Sequence, residues 1–200
     1  MKSILISIKP KYVADILNGK KTIEIRKTKP NVDLPIDVYI YCTKGKEKLF
    51  YSPREKRYKT NCFSKSFRDL NKNNPNIFNG KVVAKFTLNK VEEVFDDEDS
   101  TCWFTDTLNK PLQLQRKSCL DYVDISNYFN GNIGYAWHIS NLVIFDKPKE
   151  LSEFKTLKRA KATDCFVCDV YQLTEMCIGN RCLLPKPLTK APQSWCYVEE

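Results

Sequence analysis

The chain has no run approaching the roughly 18 uninterrupted apolar residues that a membrane span requires, so no spanning helix is expected. Its opening, MKSILISIKPK, carries an apolar stretch too short for a secretory signal, and a cytoplasmic address is expected. No internal repeat is present, and one domain over residues 1–200, interrupted by insertions, is the default reading. There is one histidine, His138, so imidazole chemistry near neutral pH rests on a single position. Acidic residues are in the minority: 33 lysines and arginines face 24 aspartates and glutamates, a formal charge of +9. That balance favours a polyanionic partner, RNA first and DNA as the alternative, through phosphate neutralisation, and no membrane partner.

The hydrophobic share of 42% is enough for one good-sized core. Nine cysteines without a secretory signal read as thiols or metal ligands rather than disulfides. Over residues 3–9, Ile4, Ile6 and Ile8 alternate as in a half-buried strand. Pro10 suits the first turn of a helix, Val13, Ile16 and Leu17 continue it at helical spacing, and Gly19 suits its left-handed exit. From Thr22 the period becomes two, with Ile23 and Ile25 on one face and Thr22, Glu24 and Arg26 on the other. Ile36, Val38 and Ile40 repeat the alternation, as do Val82, Ala84, Phe86 and Leu88, and later strands are expected at 133–139, 142–146 and 195–199. Many short strands with little helix predict a closed or nearly closed barrel.

Two segments interrupt this pattern. Residues 44–80 form a basic insertion in which ten cations, among them Lys44, Lys46, Lys48, Arg54, Lys56, Arg57 and Lys59, face three acids. Phe50, Tyr51, Tyr58, Phe63 and Phe67 are interleaved, the mixture that pairs phosphates with stacking platforms, although aromatics that merely pin an exposed loop to the barrel would look the same. The acidic patch Glu92, Glu93, Asp96, Asp97, Glu98 and Asp99 reads as a solvated loop, with a base near a pocket as the other use.

The run GKKTIEIRK, residues 19–27, concentrates the groups that carry chemistry. Glu24 and Arg26 stand two apart on one strand face, bordering a polar cleft if the fold encloses that face. Arg26 can fork onto phosphate or a base edge, Glu24 can accept from an amino group or act as a base, and Lys21 can serve as a point charge, nucleophile or base. A surface strand with an ordinary Glu–Arg pair is the plain alternative. His138 follows Trp137 in GYAWHIS: the imidazole is a natural acid or base and the indole a stacking surface, but strand parity puts them on opposite faces unless a bulge intervenes. Cys165, Cys168, Cys177 and Cys182, a CxxC followed by a wider CxxxxC in a Cys-rich insertion over 156–190, have a spacing that can close a structural zinc site. No cofactor is expected to be required for function, and the pattern sets no oligomeric state.

The segment ILISIKPKYVADILNGKKTIEIRK resembles the opening of ASCH domains, where a strand, a helix and a GxKxxExR pattern line a central cleft; here the pattern reads Gly19, Lys21, Glu24 and Arg26. GKVVAKFTLNKVEE resembles the family's next barrel strand, and GYAWHISNLVIFDKPKELSEF with APQSWCYVEE resembles the closing strands of its phage and bacterial members. The resemblance implies an α+β, PUA-like small mixed or antiparallel β-barrel with short flanking helices and the two insertions, related to RNA-binding PUA domains and to YTH and EVE domains that read modified bases. It implies a cleft lined by Lys21, Glu24 and Arg26 that meets a nucleotide or modified base; Thr22, by strand parity, and Trp137 and His138, by their side-chain chemistry, are the further candidates for it. Some members are ribonucleases, and a bacterial subgroup hydrolyses the amide of N4-acetylcytidine with a lysine, a threonine nucleophile and a glutamate. Lys21 matches that lysine, but Glu24 stands where the threonine would be. Binding of RNA or a nucleotide derivative is therefore the leading expectation. The alternatives are a metal-independent ribonuclease or modified-nucleoside hydrolase using Lys21 and Glu24, and a phage-encoded protein that binds a host protein.

Overall fold

The computed structural model describes residues 2–62, 77–97, 102–159 and 183–199. The first strand, β1 (Lys2–Ile8), is buried on both faces: Ile4, Ile6 and Ile8 enter one core cluster and Leu5 another. Helix α1 (Pro10–Leu17) starts on Pro10, whose fixed φ and missing N–H cost nothing in the first turn. It ends where Gly19 takes φ +73°, its N–H bonding the Ile16 carbonyl at 2.9 Å. Strands β2 (Ile23–Arg26), β3 (Ile36–Cys42), β4 (Glu47–Ser52), β5 (Arg57–Cys62), β6 (Val82–Asp97) and β7 (Cys102–Phe104) follow. Two short helices, α2 (Gln113–Ser118) and α3 (Tyr122–Phe129), precede β8 (Gly134–Lys149), and β9 (Lys155–Arg159), β10 (Leu183–Pro187) and β11 (Trp195–Glu199) complete the order.

The main sheet runs β10-β9-β11-β1-β3-β6-β8-β2, with β7 beside β6. The β1–β3 pair is parallel and the other recorded pairs are antiparallel. The α+β class and the short helices agree with expectation; among the described residues β10 and β2 end the path without pairing with each other, so the sheet is not closed into a barrel. The curvature sits instead in β6 and β8, each 16 residues long, whose pairing shifts register three times; such bulges bend and twist a sheet without closing it.

One core cluster joins Ile6, Val38, Ile40, Phe86 and Leu88 to Val13 and Ile16 of α1 and to Trp137. The opposite face of β1 and β3 buries Leu5, Tyr39 and Tyr41 against Phe154, Leu188 and Val198. A third cluster packs Ile23 and Ile25 of β2 against Trp103, Leu114, Ile125 and Phe129. Gly134 is tight here, since a Cβ at that position would lie 1.8 Å from Phe129 Cζ.

The basic segment is built rather than loose. Strands β4 and β5 form a hairpin, and Asn18 at the end of α1 clamps it: Asn18 Nδ2 donates to the Tyr58 carbonyl at 2.8 Å, and the Tyr58 N–H donates to Asn18 Oδ1 at 2.9 Å. Leu49 is fully buried, and Tyr58 stacks between Tyr51 and Phe78. Phe63 and Phe67 lie outside the described residues, as do Glu98 and Asp99. The acidic patch is not a loop as far as it is described: Glu92, Glu93 and Asp96 belong to β6, because alternation continues past Leu88 into the pairing with β8. The Cys-rich insertion is bracketed by β9 and β10, which pair with each other; Cys165, Cys168, Cys177 and Cys182 fall outside the described residues. Among the described residues no three His, Cys, Asp or Glu side chains cluster as a metal site, and no helix is long and apolar enough to cross a membrane.

Candidate functional site

Strand β2 places the site. Its isoleucines face the third core cluster, so parity turns Glu24 and Arg26 to the other side, where Glu24 registers against Trp137 and Arg26 against Tyr135 on β8. Cross-strand partners share a face, so Glu24, Arg26, Trp137 and Tyr135 lie together on one side of the β2–β8 pair. Lys21, just before the strand, turns into it. The three charged residues are 2%, 7% and 6% exposed for Lys21, Glu24 and Arg26, and Trp137 is 0% exposed.

Charges this deep require partners, and each has them. Lys21 Nζ lies 3.3 Å from Glu24 Oε2, and Arg26 Nη2 lies 2.9 Å from Glu24 Oε1, so one carboxylate bridges two cations. Lys21 Nζ also donates to the Ser118 carbonyl at 2.6 Å, at the end of α2, and sits 5.4 Å from the centre of the Tyr12 ring. Arg26 donates to the Ser7 carbonyl at 2.8 Å through Nη2 and to Ser194 Oγ at 3.1 Å through Nη1. On this face two donors remain unanswered, Arg26 Nε and Trp137 Nε1, both buried without an acceptor among the described residues. A buried donor left unpaired costs about 1–3 kcal/mol, so each marks a place where an acceptor would be favourable. The formal charge of the cluster is one cation in excess, the right sign for an anionic acceptor.

The rim is aromatic. Trp195 lies 5.6 Å from Trp137, centre to centre, and its indole N–H donates to Thr28 Oγ1 at 3.0 Å. Burial raises the Tyr12 hydroxyl above its ordinary value, and nearby carboxylates including Glu24 add to this. Tyr128, partly exposed, is close enough for its hydroxyl to feel both Arg26 and Glu24; burial raises it, while Arg26 works the other way. Both phenols therefore remain protonated donors at neutral pH.

Two of the expected site residues stand apart. Thr22 is exposed, and its backbone bridges the Lys117 carbonyl at 2.9 Å and the Ile139 N–H at 3.0 Å. His138 registers against Ile23, on the face of β8 opposite Trp137. There its Nε2 lies 2.5 Å from Glu92 Oε2, and Glu92 also accepts from the Thr107 hydroxyl at 2.8 Å and from the Thr107 N–H at 3.1 Å. Burial pulls His138 below the ordinary imidazole value by more than Glu92 pushes it back. Burial works to raise Glu92, but hydrogen bonds from Thr107, His138 and Lys90 outweigh it and leave this carboxyl lowered. Of the hairpin cations, Lys44, Lys46, Arg54, Lys56 and Arg57 are exposed; Arg57 and Lys59 are tied to Glu55, the latter at 2.6 Å, and Lys48 donates to the Gly45 carbonyl at 2.8 Å.

Several participants were not singled out from the sequence: Tyr12, Ser118, Tyr128 and Ser194. Ser118 has no local signal, since it contributes a backbone carbonyl from 97 residues away. Ser194 lies in the APQSWCYVEE tail, which marked the neighbourhood but not the contact.

A family model described as the ASCH domain matches residues 6–149. No curated protein matches the chain. Among solved structures, an ASCH protein from Zymomonas mobilis is 14% identical, the match covering 99% of this chain and 88% of that one at a TM-score of 0.44. A point mutant of the same Zymomonas mobilis protein is 15% identical, covering 100% of this chain and 92% of that one at a TM-score of 0.46.

Proposed function

The chain belongs to the ASCH domain family, and from that premise we propose that its buried cleft recognises a nucleotide or an extruded, modified base of RNA. The observation that carries the proposal is the pair of buried, unanswered donors, Arg26 Nε and Trp137 Nε1, on the same face as an ion cluster with one cation in excess. A phosphate oxygen or a base carbonyl would satisfy them, Glu24 would accept from an exocyclic amino group, and Trp137, Trp195 and Tyr128 supply ring surfaces for stacking. Exposed cations on and beside the β4–β5 hairpin, Lys44, Lys46, Arg54 and Lys56, would add sequence-independent attraction to the backbone.

Lys21, Glu24 and the two Nη atoms of Arg26 already have partners, so binding would exchange some of these contacts as well as answer the two unpaired donors. The Lys21–Glu24 pair, 3.3 Å apart, is also the acid and base that an enzyme of this fold would use on RNA or an acylated nucleoside. Both carboxylate oxygens of Glu24 are held by cations, an arrangement better suited to fixed recognition than to proton transfer.

The test is a titration of mononucleotides and short RNA, followed by tryptophan fluorescence, for the wild type, Lys21→Ala and Arg26→Ala. Affinity should fall about tenfold or more in each variant, the loss typical of one desolvated charged contact. Unchanged affinity in both would remove the cleft as the site. Incubation with labelled RNA and acylated nucleosides, with Lys21→Ala as control, separates turnover from binding.

A further inference from the structure

A groove of about 740 Å³ lies beside the Lys21–Glu24–Arg26 cluster, lined by Ser7, whose carbonyl holds Arg26, and by Tyr41, Lys44, Glu150, Lys190 and Pro192 among others. We infer that this groove is a second subsite, which takes the phosphodiester backbone of a single RNA strand whose neighbouring nucleotide occupies the cleft. The inference rests on the binding function proposed above and specifies its substrate as a strand rather than a free nucleotide.

Three observations carry it. The first is charge. Lys44 and Lys190 are exposed at the groove and enter no ion pair among the described residues, whereas its carboxylate, Glu150, is neutralised by Lys81 at 3.4 Å. The groove therefore presents two unpaired cations against one carboxylate that already has a lysine partner, an excess that suits a backbone with one negative charge per nucleotide.

The second is placement. Lys44 lies across Gly80, where a Cβ would come within 2.9 Å of Lys44 Cε and where φ is +83°. Glycine thus gives the lysine stem room to pack, and Lys44 is both part of the groove and the first cation of the basic segment.

The third is the shared wall. Ser7 lines the groove and holds the cleft: its carbonyl accepts Arg26 Nη2 at 2.8 Å, its hydroxyl donates to the Pro192 carbonyl at 2.7 Å, and its N–H donates to the Ser194 carbonyl at 2.9 Å. Ser194 Oγ in turn receives Arg26 Nη1 at 3.1 Å. One serine and the segment from Pro192 to Ser194 separate the two sites, so a strand seated in the groove meets the cleft within its next residues.

The experiment compares a nucleoside monophosphate with a short single-stranded oligoribonucleotide on the full chain, using the wild type, Lys190→Glu and Ser152→Trp. Lys190 and Ser152 are exposed groove residues remote from the core, one variant reversing charge and the other filling space. The oligonucleotide should bind the wild type more tightly than the monophosphate does. Both variants should lose about tenfold of that oligonucleotide affinity with monophosphate binding unchanged, and Lys190→Glu should lower the salt slope by about 0.7, the loss of one single-strand phosphate contact. Wild-type oligonucleotide binding no tighter than the monophosphate, or variants that bind the oligonucleotide like wild type, would overturn the groove and leave the cleft standing. Failure of the wild type to bind either probe would overturn both.

Discussion

Replacing Glu24 by Gln isolates the electrostatics of the cleft with almost no change in volume. In the wild type one carboxylate serves two cations, Lys21 at 3.3 Å and Arg26 at 2.9 Å, all three less than a tenth exposed. The variant keeps an acceptor oxygen but leaves two buried positive charges facing a neutral amide. Removing one partner of a buried ion pair costs about 3–5 kcal/mol, because the remaining charge has lost its compensation yet cannot return to water. The retained amide oxygen and the carbonyls of Ser118 and Ser7 place this case at the low end, about 3 kcal/mol. For a domain of this size each kcal/mol shifts Tm by about 2–4 °C, so a fall of roughly 6–12 °C is expected. Urea denaturation with a shared m-value measures the loss directly. Adding Lys21→Met to the variant removes one uncompensated charge, and the double variant should be more stable than the two single losses predict by about 1 kcal/mol or more. Millimolar phosphate should stabilise Glu24→Gln more than the wild type, since its cluster carries one more unpaired positive charge. A loss below about 1 kcal/mol, with no phosphate effect, would refute the claim that this carboxylate compensates buried cations.

Two further predictions follow from sites away from the cleft. His138 and Glu92 both sit below their ordinary values of 6.5 and 4.5, so each binds fewer protons folded than unfolded. Their contribution to stability is therefore present above pH 6.5 and falls on acidification, first as pH drops toward the folded value of His138 and again below 4.5 for Glu92. In His138→Gln the urea midpoint should lose only the upper part of this dependence; a wild-type midpoint that rises as pH drops just below 6.5 would reverse the sign and show that Glu92 outweighs burial. Gly134→Ala drives a methyl to within 1.8 Å of the Phe129 ring and should cost about 1–3 kcal/mol or more in the same assay, with Phe129→Leu recovering part of the loss.

The local elements were legible because their causes are local. The Pro10 start and Gly19 exit bracket α1, and alternation about Ile23 and Ile25 set Glu24 beside Arg26 on one face of β2. Composition misled where the pairing partner was distant: Glu92, Glu93 and Asp96 look like solvated loop, yet β8 pairs with this end of β6, and His138 and Thr107 hold the buried Glu92. The hairpin of the basic segment was likewise hidden, since Asn18, 40 residues before Tyr58, supplies the contacts that dock it.

Taken alone, the sequence determined the alternation of β1, β2, β3 and the first half of β6, the side of β2 that carries charge and the family the chain belongs to, because side-chain parity and motif spacing are properties of neighbouring residues. Only the tertiary structure decided that this side is buried, that Lys21 turns in to pair with Glu24 while Thr22 stays exposed, and that Trp137 shares the face of Glu24 while His138 lies on the opposite one. Only it left the sheet open between β2 and β10 and set a groove behind Ser7. The physical reason is distance along the chain: Arg26 is held by Ser194, 168 residues away, and no local period encodes which remote segment will close over a polar face.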